Sequence, residues 1–114
     1  MNTKKISLLE AIDKLKSETQ QPFTVVMKHG SMSVEYFAPS KIDTQSPHQQ
    51  DELYVIARGH GHLNRHGETL ECKAGDVLFV PAGMEHHFEQ FSDDFATWVV
   101  FYGPPGGEPH DTTL

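Results

Sequence analysis

Side chains that bind metals or transfer protons recur at every second residue in the stretch "SPHQQDELYVIARGHG". They are His48, Gln50 and Glu52, and Tyr54 continues the alternation into an apolar, β-branched run. Because successive strand side chains point to opposite faces, a regular strand would place all four on one face. Burying a histidine and a carboxylate is costly unless something pairs with them. A metal ion is one such partner.

A second stretch, "GDVLFVPAGMEH", would deliver another polar side chain to the same interior. Pro81 lacks an N–H and has a fixed φ, so it suits the end of a strand. Gly83 gives the turn its conformational freedom. His86 then starts a new strand with a side chain whose direction the turn sets. Two β segments are therefore predicted to contribute polar groups to one interior.

These two stretches resemble the paired motifs of the cupin family, which read G-x5-H-x-H-x3,4-E-x6-G and G-x5-P-x-G-x2-H-x3-N. The second motif is matched at Gly75, Pro81, Gly83 and His86, with Gln90 in place of the final asparagine. In the first motif, the matching residues are His48, Glu52 and Gly59. Ser46 stands where the first histidine belongs, and Ser40 where the opening glycine belongs. The resemblance is to a small single-domain cupin, with a layout that extends over about residues 23–102.

The resemblance implies a metal site made of His48, Glu52 and His86. Two histidines and one carboxylate suit Fe, and also Mn, Ni, Co or Zn. Gln50 is a further candidate ligand on the predicted face, and Ser46 is the alternative for the remaining corner. The competing interpretation is a cupin whose pocket holds no metal.

Two more side chains are candidate catalytic groups. Tyr54 is predicted to share the face of Glu52, and Gln90 that of His86; a phenol there could donate to a substrate or act as an acid or base. Plain core packing is the alternative for Tyr54, since a buried tyrosine needs only one partner. The sequence predicts that His60 and His62 face solvent.

The composition limits the classes of function. The 114 residues carry a net charge of −7, with nine scattered Lys and Arg residues, which argues against a nucleic-acid partner and an anionic membrane surface. No apolar run approaches membrane-spanning length. Cys72 is the single cysteine, so no intrachain disulfide is possible, and we interpret it as a small core residue. A reducing, cytoplasmic location fits this composition, and the first residues lack a signal-peptide core.

The remaining pattern predicts one helix followed by short strands. "SLLEAIDKLKSET" combines a capping box at Ser7 and Glu10 with an apolar stripe of Leu8, Leu9, Ile12 and Leu15. After Pro22 the apolar periodicity becomes strand-like, with turns at His29-Gly30, His66-Gly67 and Ala74-Gly75. We expect an all-β fold, a cupin-type double-stranded β-helix or jelly-roll barrel with one N-terminal helix. Its predicted parts are a helix over 1–21, a barrel over 22–103 and a tail over 104–114.

Three functional hypotheses remain open at this point. The first is an enzyme that acts on a small anionic or oxygen-rich metabolite by dioxygenase-like chemistry, since such a metal site favours a carboxylate, enediolate or catecholate. The second is a metal-dependent isomerase or lyase, and the third is a non-catalytic module that binds a small molecule. Open barrel edges, with "FTVVMK" as the leading candidate, predict a homodimer.

Overall fold

A computed structural model describes residues 3–18 and 20–109 of the chain. It contains one helix and eight strands within that part: α1 (Leu8–Lys16), β1 (Phe23–His29), β2 (Met32–Phe37), β3 (Asp51–Arg58), β4 (His60–Arg65), β5 (Glu68–Lys73), β6 (Val77–Val80), β7 (His86–Glu89) and β8 (Ala96–Tyr102).

The strands form two antiparallel sheets. The larger sheet has the order β1-β2-β8-β3-β6, and the smaller one the order β5-β4-β7. Neighbours that are distant in sequence, such as β2 and β8, close the structure around a common interior. This is the jelly-roll barrel that the sequence predicts.

The inner faces of the two sheets form the main core. It includes Phe37, Tyr54 and Val99 of the larger sheet and Leu63 and Phe88 of the smaller one. The strand pairing also shows which alternate residues of β6 and β8 point inward, a question that the sequence leaves open. Leu78 and Val80 of β6 point inward, and so do Val99 and Phe101 of β8.

The helix covers the outer face of the larger sheet. Ser7 and Glu10 form the predicted capping box, with Glu10 N donating to Ser7 Oγ at 3.1 Å. Ala11 packs in a second cluster with Val26 and Tyr36. The predicted stripe is wrong in one member, because Leu9 is 75% exposed.

The helix ends at Lys16, with Ser17 as its C-cap, before the predicted end at Thr19, which lies outside the described residues. Within the described residues, no helix is both long and apolar enough to cross a bilayer.

Chain beyond β8 is held against the start of β3 as far as it is described. Gly106 N donates to Gln49 O at 2.7 Å, and Glu108 N donates to Asp51 Oδ2 at 2.8 Å. Asp51 also accepts from Ala82 N at 2.9 Å, so one buried carboxylate links three segments. The end of the predicted tail, from residue 110, lies outside the described residues.

Candidate metal centre

The structure brings His48, Glu52 and His86 together. One potential ligand atom from each residue lies within 4.8 Å of the other two. His48 Nδ1 is 3.1 Å from Glu52 Oε2, and His86 Nε2 is 2.7 Å from Glu52 Oε1. Glu52 and His86 are buried, and His48 is partly exposed.

Each of the three side chains is positioned by a different element. Glu52 is an inward residue of β3, between Phe101 of β8 and Val80 of β6 in the sheet register. His86 is the first residue of β7. His48 precedes β3, and its ring packs edge-on against Phe101 at 4.8 Å between centroids.

The backbone joins the two loops that carry the histidines. Gly83 N donates to the carbonyl of His48 at 2.8 Å. Gly83 has φ +77°, a conformation that side-chain-bearing residues rarely adopt. The glycine of "PAGMEH" therefore allows the turn that fixes both loops.

A hydrogen bond to the Met84 carbonyl determines which nitrogen of the His86 ring presents a lone pair to Glu52. His86 Nδ1 lies 2.8 Å from the carbonyl oxygen of Met84. A carbonyl oxygen only accepts, so Nδ1 carries the proton and Nε2 of the neutral ring is a bare acceptor. Such a backbone contact is typical of histidines that bind metals, because it fixes the tautomer and the ring orientation.

The atoms that face each other in this group are short of proper partners. Among the described residues, His48 Nδ1, Glu52 Oε2 and His86 Nε2 are buried and form no well-directed hydrogen bond, although they lie at ion-pair distances. Lone pairs that converge without protons between them repel one another. A divalent cation among them would satisfy all three, so the donor set fits a metal ion.

In the absence of a metal, the contacts within the group shift the pKa values of Glu52 and His86. Burial alone would raise the pKa of Glu52, but its contacts with His48 and His86 hold that pKa below its ordinary value. Burial alone would lower the pKa of His86, yet Glu52 and the Met84 carbonyl raise it. Without a metal, these contacts therefore favour the ionised form of Glu52 and the protonated form of His86.

Tyr54 lies directly behind Glu52. Its hydroxyl is 3.0 Å from Glu52 Oε1 and 3.1 Å from Gln45 Oε1, and it has one proton to donate between them. Burial, reinforced by the charge of Glu52, raises the pKa of Tyr54 well above its ordinary value. Gln45 Nε2 in turn donates to Asp43 Oδ2 at 2.7 Å. The phenol thus belongs to a hydrogen-bonded chain that supports the carboxylate.

The two predicted amides, Gln50 and Gln90, depart from the expected alternation, although Gln50 lies, like His48, in the wall of a cavity. The strand begins at Asp51, so the alternation expected back to His48 does not hold at Gln50. Its Nε2 instead donates to the carbonyls of Ser31 at 2.8 Å and Gly103 at 2.9 Å. Gln90 follows the end of β7 with φ +50° and is exposed. Since its backbone leaves the strand conformation, it does not continue the inward face of His86 and Phe88.

A cavity of about 850 Å³ opens beside the three residues, with His48 in its wall. Ser46, the alternative fourth group, is an exposed residue of the same wall. Apolar side chains of Phe23, Phe37 and Ile42 line much of the rest. The volume suits a small metabolite.

Glu35 is a cavity residue that the sequence reasoning missed. It lies on β2 between Ser33 and Phe37, which line the same cavity. Burial, with Glu52 adding to it, raises the pKa of Glu35, while His48 and Lys28 oppose the shift. Ser33, Glu35 and Phe37 alternate in "SMSVEYFA", but the apolar Val34 and Tyr36 lie between them, so the sequence alone does not mark the inward face.

Among the described residues, His60, His62, His87 and Cys72 lie apart from this group. His60 is exposed, His62 is partly exposed, and His87 pairs with Glu89 at 3.2 Å on the outside. Burial raises the pKa of the Cys72 thiol to about 11, as expected for a core residue. Within the residues that the structure describes, only His48, Glu52 and His86 form a group of three or more metal-ligating side chains.

Comparison with known proteins supports the same architecture. Residues 33–102 match the family described as Cupin domain. The uncharacterized protein SCO3923 of Streptomyces coelicolor is 31% identical over 98 residues, which cover 84% of this chain and 93% of that protein. An acireductone dioxygenase of a Synechococcus species is 34% identical over 64 residues, covering 53% of this chain and only 35% of the enzyme.

A solved structure shows the same fold at low identity. The Cupin 2 conserved barrel domain protein of Salinispora arenicola superposes with a TM-score of 0.66 at 20% identity, over 90% of this chain and 91% of that one. The match to the family covers more than half of the sequence, and the jelly-roll barrel agrees with it. The chain belongs to the cupin domain family.

Proposed function

We propose that this cupin is a metal-dependent enzyme that acts on a small oxygen-rich metabolite by dioxygenase-like chemistry. The observation that carries the proposal is the convergence of His48, Glu52 and His86 beside a cavity that His48 lines, with buried atoms that no hydrogen bond satisfies. Such unpaired buried groups are rare in proteins unless an ion or ligand completes them.

The residues present would hold a divalent ion through two neutral imidazoles and one carboxylate. A bound ion of this kind supplies a Lewis acid that polarises oxygen groups and, if it is iron, a site for dioxygen. Three protein ligands leave coordination positions for small molecules. The ligand set fits Fe, Mn, Ni, Co or Zn, and it does not select among them.

The chain's own side chains provide the surroundings that this chemistry requires. The Met84 carbonyl fixes the tautomer of His86, and the Tyr54 hydroxyl holds one oxygen of Glu52. Phe101 packs against the His48 ring and, with the other apolar side chains of the cavity, limits the access of water. A drier site strengthens every charge interaction within it.

Similarity to the acireductone dioxygenase supports the choice of reaction class. That match covers about a third of the enzyme, so it supports the domain and its site more than the substrate. The alternatives are a metal-dependent isomerase or lyase and a non-catalytic binding module, and the experiment below separates them.

The test combines metal analysis with oxygen uptake. Protein purified without a His tag is expected to contain one divalent ion per chain, and His86→Ala to contain none. His87→Ala is the matched control, since His87 is the next residue and faces outward. A His86→Ala protein that retains full metal would refute the site.

The reaction class is tested on protein loaded with iron, manganese or nickel. We expect the iron form to consume dioxygen in an oxygen electrode with a catechol, an enediol or a diketone. Conversion of a compound without oxygen uptake would instead support an isomerase or lyase. Tight binding without conversion under any metal would support the binding module.

A further inference from the structure

Glu35 is the carboxylate of the cavity that has no role in the group described above. It is half-buried on β2, with Val99 as its partner on β8, and Tyr54 pairs with Val99 from the other side. Residues directly opposite each other on paired strands share a face, so Glu35 points to the inner side with Val99 and Tyr54. Neighbouring strands lie about 4.8 Å apart, which puts the backbones at Glu35 and Tyr54 roughly 10 Å apart across the sheet. Glu52 lies on the same face of β3, two residues before Tyr54.

The other carboxylate of the cavity wall is already occupied. Asp43 accepts hydrogen bonds from Gln45 N at 3.0 Å, from Gln45 Nε2 at 2.7 Å and from Phe88 N at 2.7 Å. In contrast, burial and the charges of His48, Glu52 and Lys28 together set the pKa of Glu35. No hydrogen bond within the described residues contributes to it. Its carboxylate is therefore available to a molecule in the cavity.

The charges around the cavity select against anions. Glu35 and Asp43 line it, and no lysine or arginine does so among the described residues. Apart from a metal held by His48, Glu52 and His86, a ligand that carries a phosphate or an additional carboxylate would find no lysine or arginine in this wall to pair with. An uncharged ligand with adjacent hydroxyl or enol groups would instead offer hydrogen-bond donors, which a carboxylate accepts strongly.

We infer that Glu35 determines specificity by accepting a hydrogen bond from a ligand hydroxyl, so that the cavity binds uncharged compounds with neighbouring hydroxyl or enol groups and discriminates against their anionic derivatives. This deepens the proposed function, on which it rests only for the direction in which the ligand's other oxygens point. The wall of the cavity contains both this carboxylate and His48, which belongs to the group of His48, Glu52 and His86.

The experiment is a binding comparison by calorimetry, with cobalt-loaded protein and anaerobic buffer. The probes are catechol and two carboxylated relatives, 2,3- and 3,4-dihydroxybenzoate, which place the extra charge in different directions. Wild-type protein is expected to prefer catechol. One unfavourable charge pair between Glu35 and a ligand carboxylate in the cavity corresponds to about a tenfold change in dissociation constant. Glu35→Gln should therefore reduce the preference for catechol over a dihydroxybenzoate by about tenfold.

Two control variants isolate the charge of Glu35. Glu35→Asp keeps the charge and should retain the preference. Glu71→Gln removes a carboxylate that is 91% exposed on β5 and should leave all three affinities unchanged. The difference in binding free energy between catechol and each dihydroxybenzoate is compared in wild-type and variant protein. This comparison forms a cycle that cancels general effects of the substitution on the cavity.

The possible outcomes separate this inference from the proposed function. Equal preference in wild-type and Glu35→Gln protein, or no binding of catechol to the wild type, would overturn the role of Glu35. Metal content is measured on the same samples, and absence of metal would overturn the proposed function alone. In that case the same titrations on metal-free protein decide the charge preference.

Discussion

Replacing Tyr54 with phenylalanine removes the hydroxyl that supports Glu52 and leaves the ring in place. The hydroxyl is buried, 3.0 Å from Glu52 Oε1, and Tyr54 does not itself line the cavity. A hydrogen bond to a charged group contributes about 1.5–3 kcal/mol. Loss of a group that orients a metal ligand typically costs about 10- to 100-fold in metal affinity or activity. We expect a decrease of this size, smaller than the ~10²–10⁴-fold effect of losing a true acid or base.

The assay measures metal affinity by competition with a chelator, and oxygen consumption with whichever probe the wild-type protein turns over. Tyr36→Phe is the matched control, because Tyr36 is equally buried on the opposite face of the same sheet, against Trp98. Both variants should lose about 1–3 kcal/mol of unfolding free energy. Only Tyr54→Phe should lose metal affinity. If it binds metal and turns over as the wild type does, the phenol is only core filling and our reasoning is wrong.

Three further predictions concern stability, reactivity and assembly. Gly59→Ala should destabilise the protein in urea titrations far more than Gly67→Ala: both have positive φ, but an added Cβ at Gly59 would clash with Ser92 and lie 2.7 Å from Asp94 Oδ1, whereas Gly67 has open space. Equal losses would contradict this. The buried Cys72 thiol, with its pKa raised to about 11, stays protonated at pH 8. It should react with a thiol reagent at least 100-fold faster once the protein is unfolded than in the native state. Rapid labelling of native protein would show that the thiol is accessible. Light scattering at micromolar concentration should give the mass of a homodimer, and a monomeric mass would rule the dimer out.

The motifs predicted the fold because they report backbone requirements that the structure meets. The turn at Gly83 and the parity of Glu52, Tyr54 and Ile56 follow from spacing alone. Gln50 and Gln90 depart from the predicted alternation for a local reason: Gln50 precedes the first residue of β3, and Gln90 leaves the strand conformation after Glu89. Where a strand begins and ends depends on its neighbours, which a single stretch of sequence does not contain.

Glu35 was missed because both faces of β2 are covered. Val34 and Tyr36 pack under the helix on the outer face, and Phe37 packs in the main core on the inner face. With apolar residues on both sides, the alternation gives no contrast that marks the interior. Pairing with β8 resolves the question, and that pairing joins residues more than 60 positions apart.

The hydrogen bond from Gly83 to His48 has a consequence for how the protein would acquire a metal at these residues. His48 and Glu52 are four residues apart, whereas His86 is distant in sequence and joins them only in the native fold, where β7 and the Gly83 turn place it. An unfolded or half-folded chain thus offers two ligands and the native barrel three. A metal that requires all three binds the native state selectively, so it stabilises that state by RT ln(1 + [L]/Kd), about 2.7 kcal/mol at a free concentration 100 times the Kd. Metal supply would then govern not only whether the protein is active but also how much of it survives in the folded form.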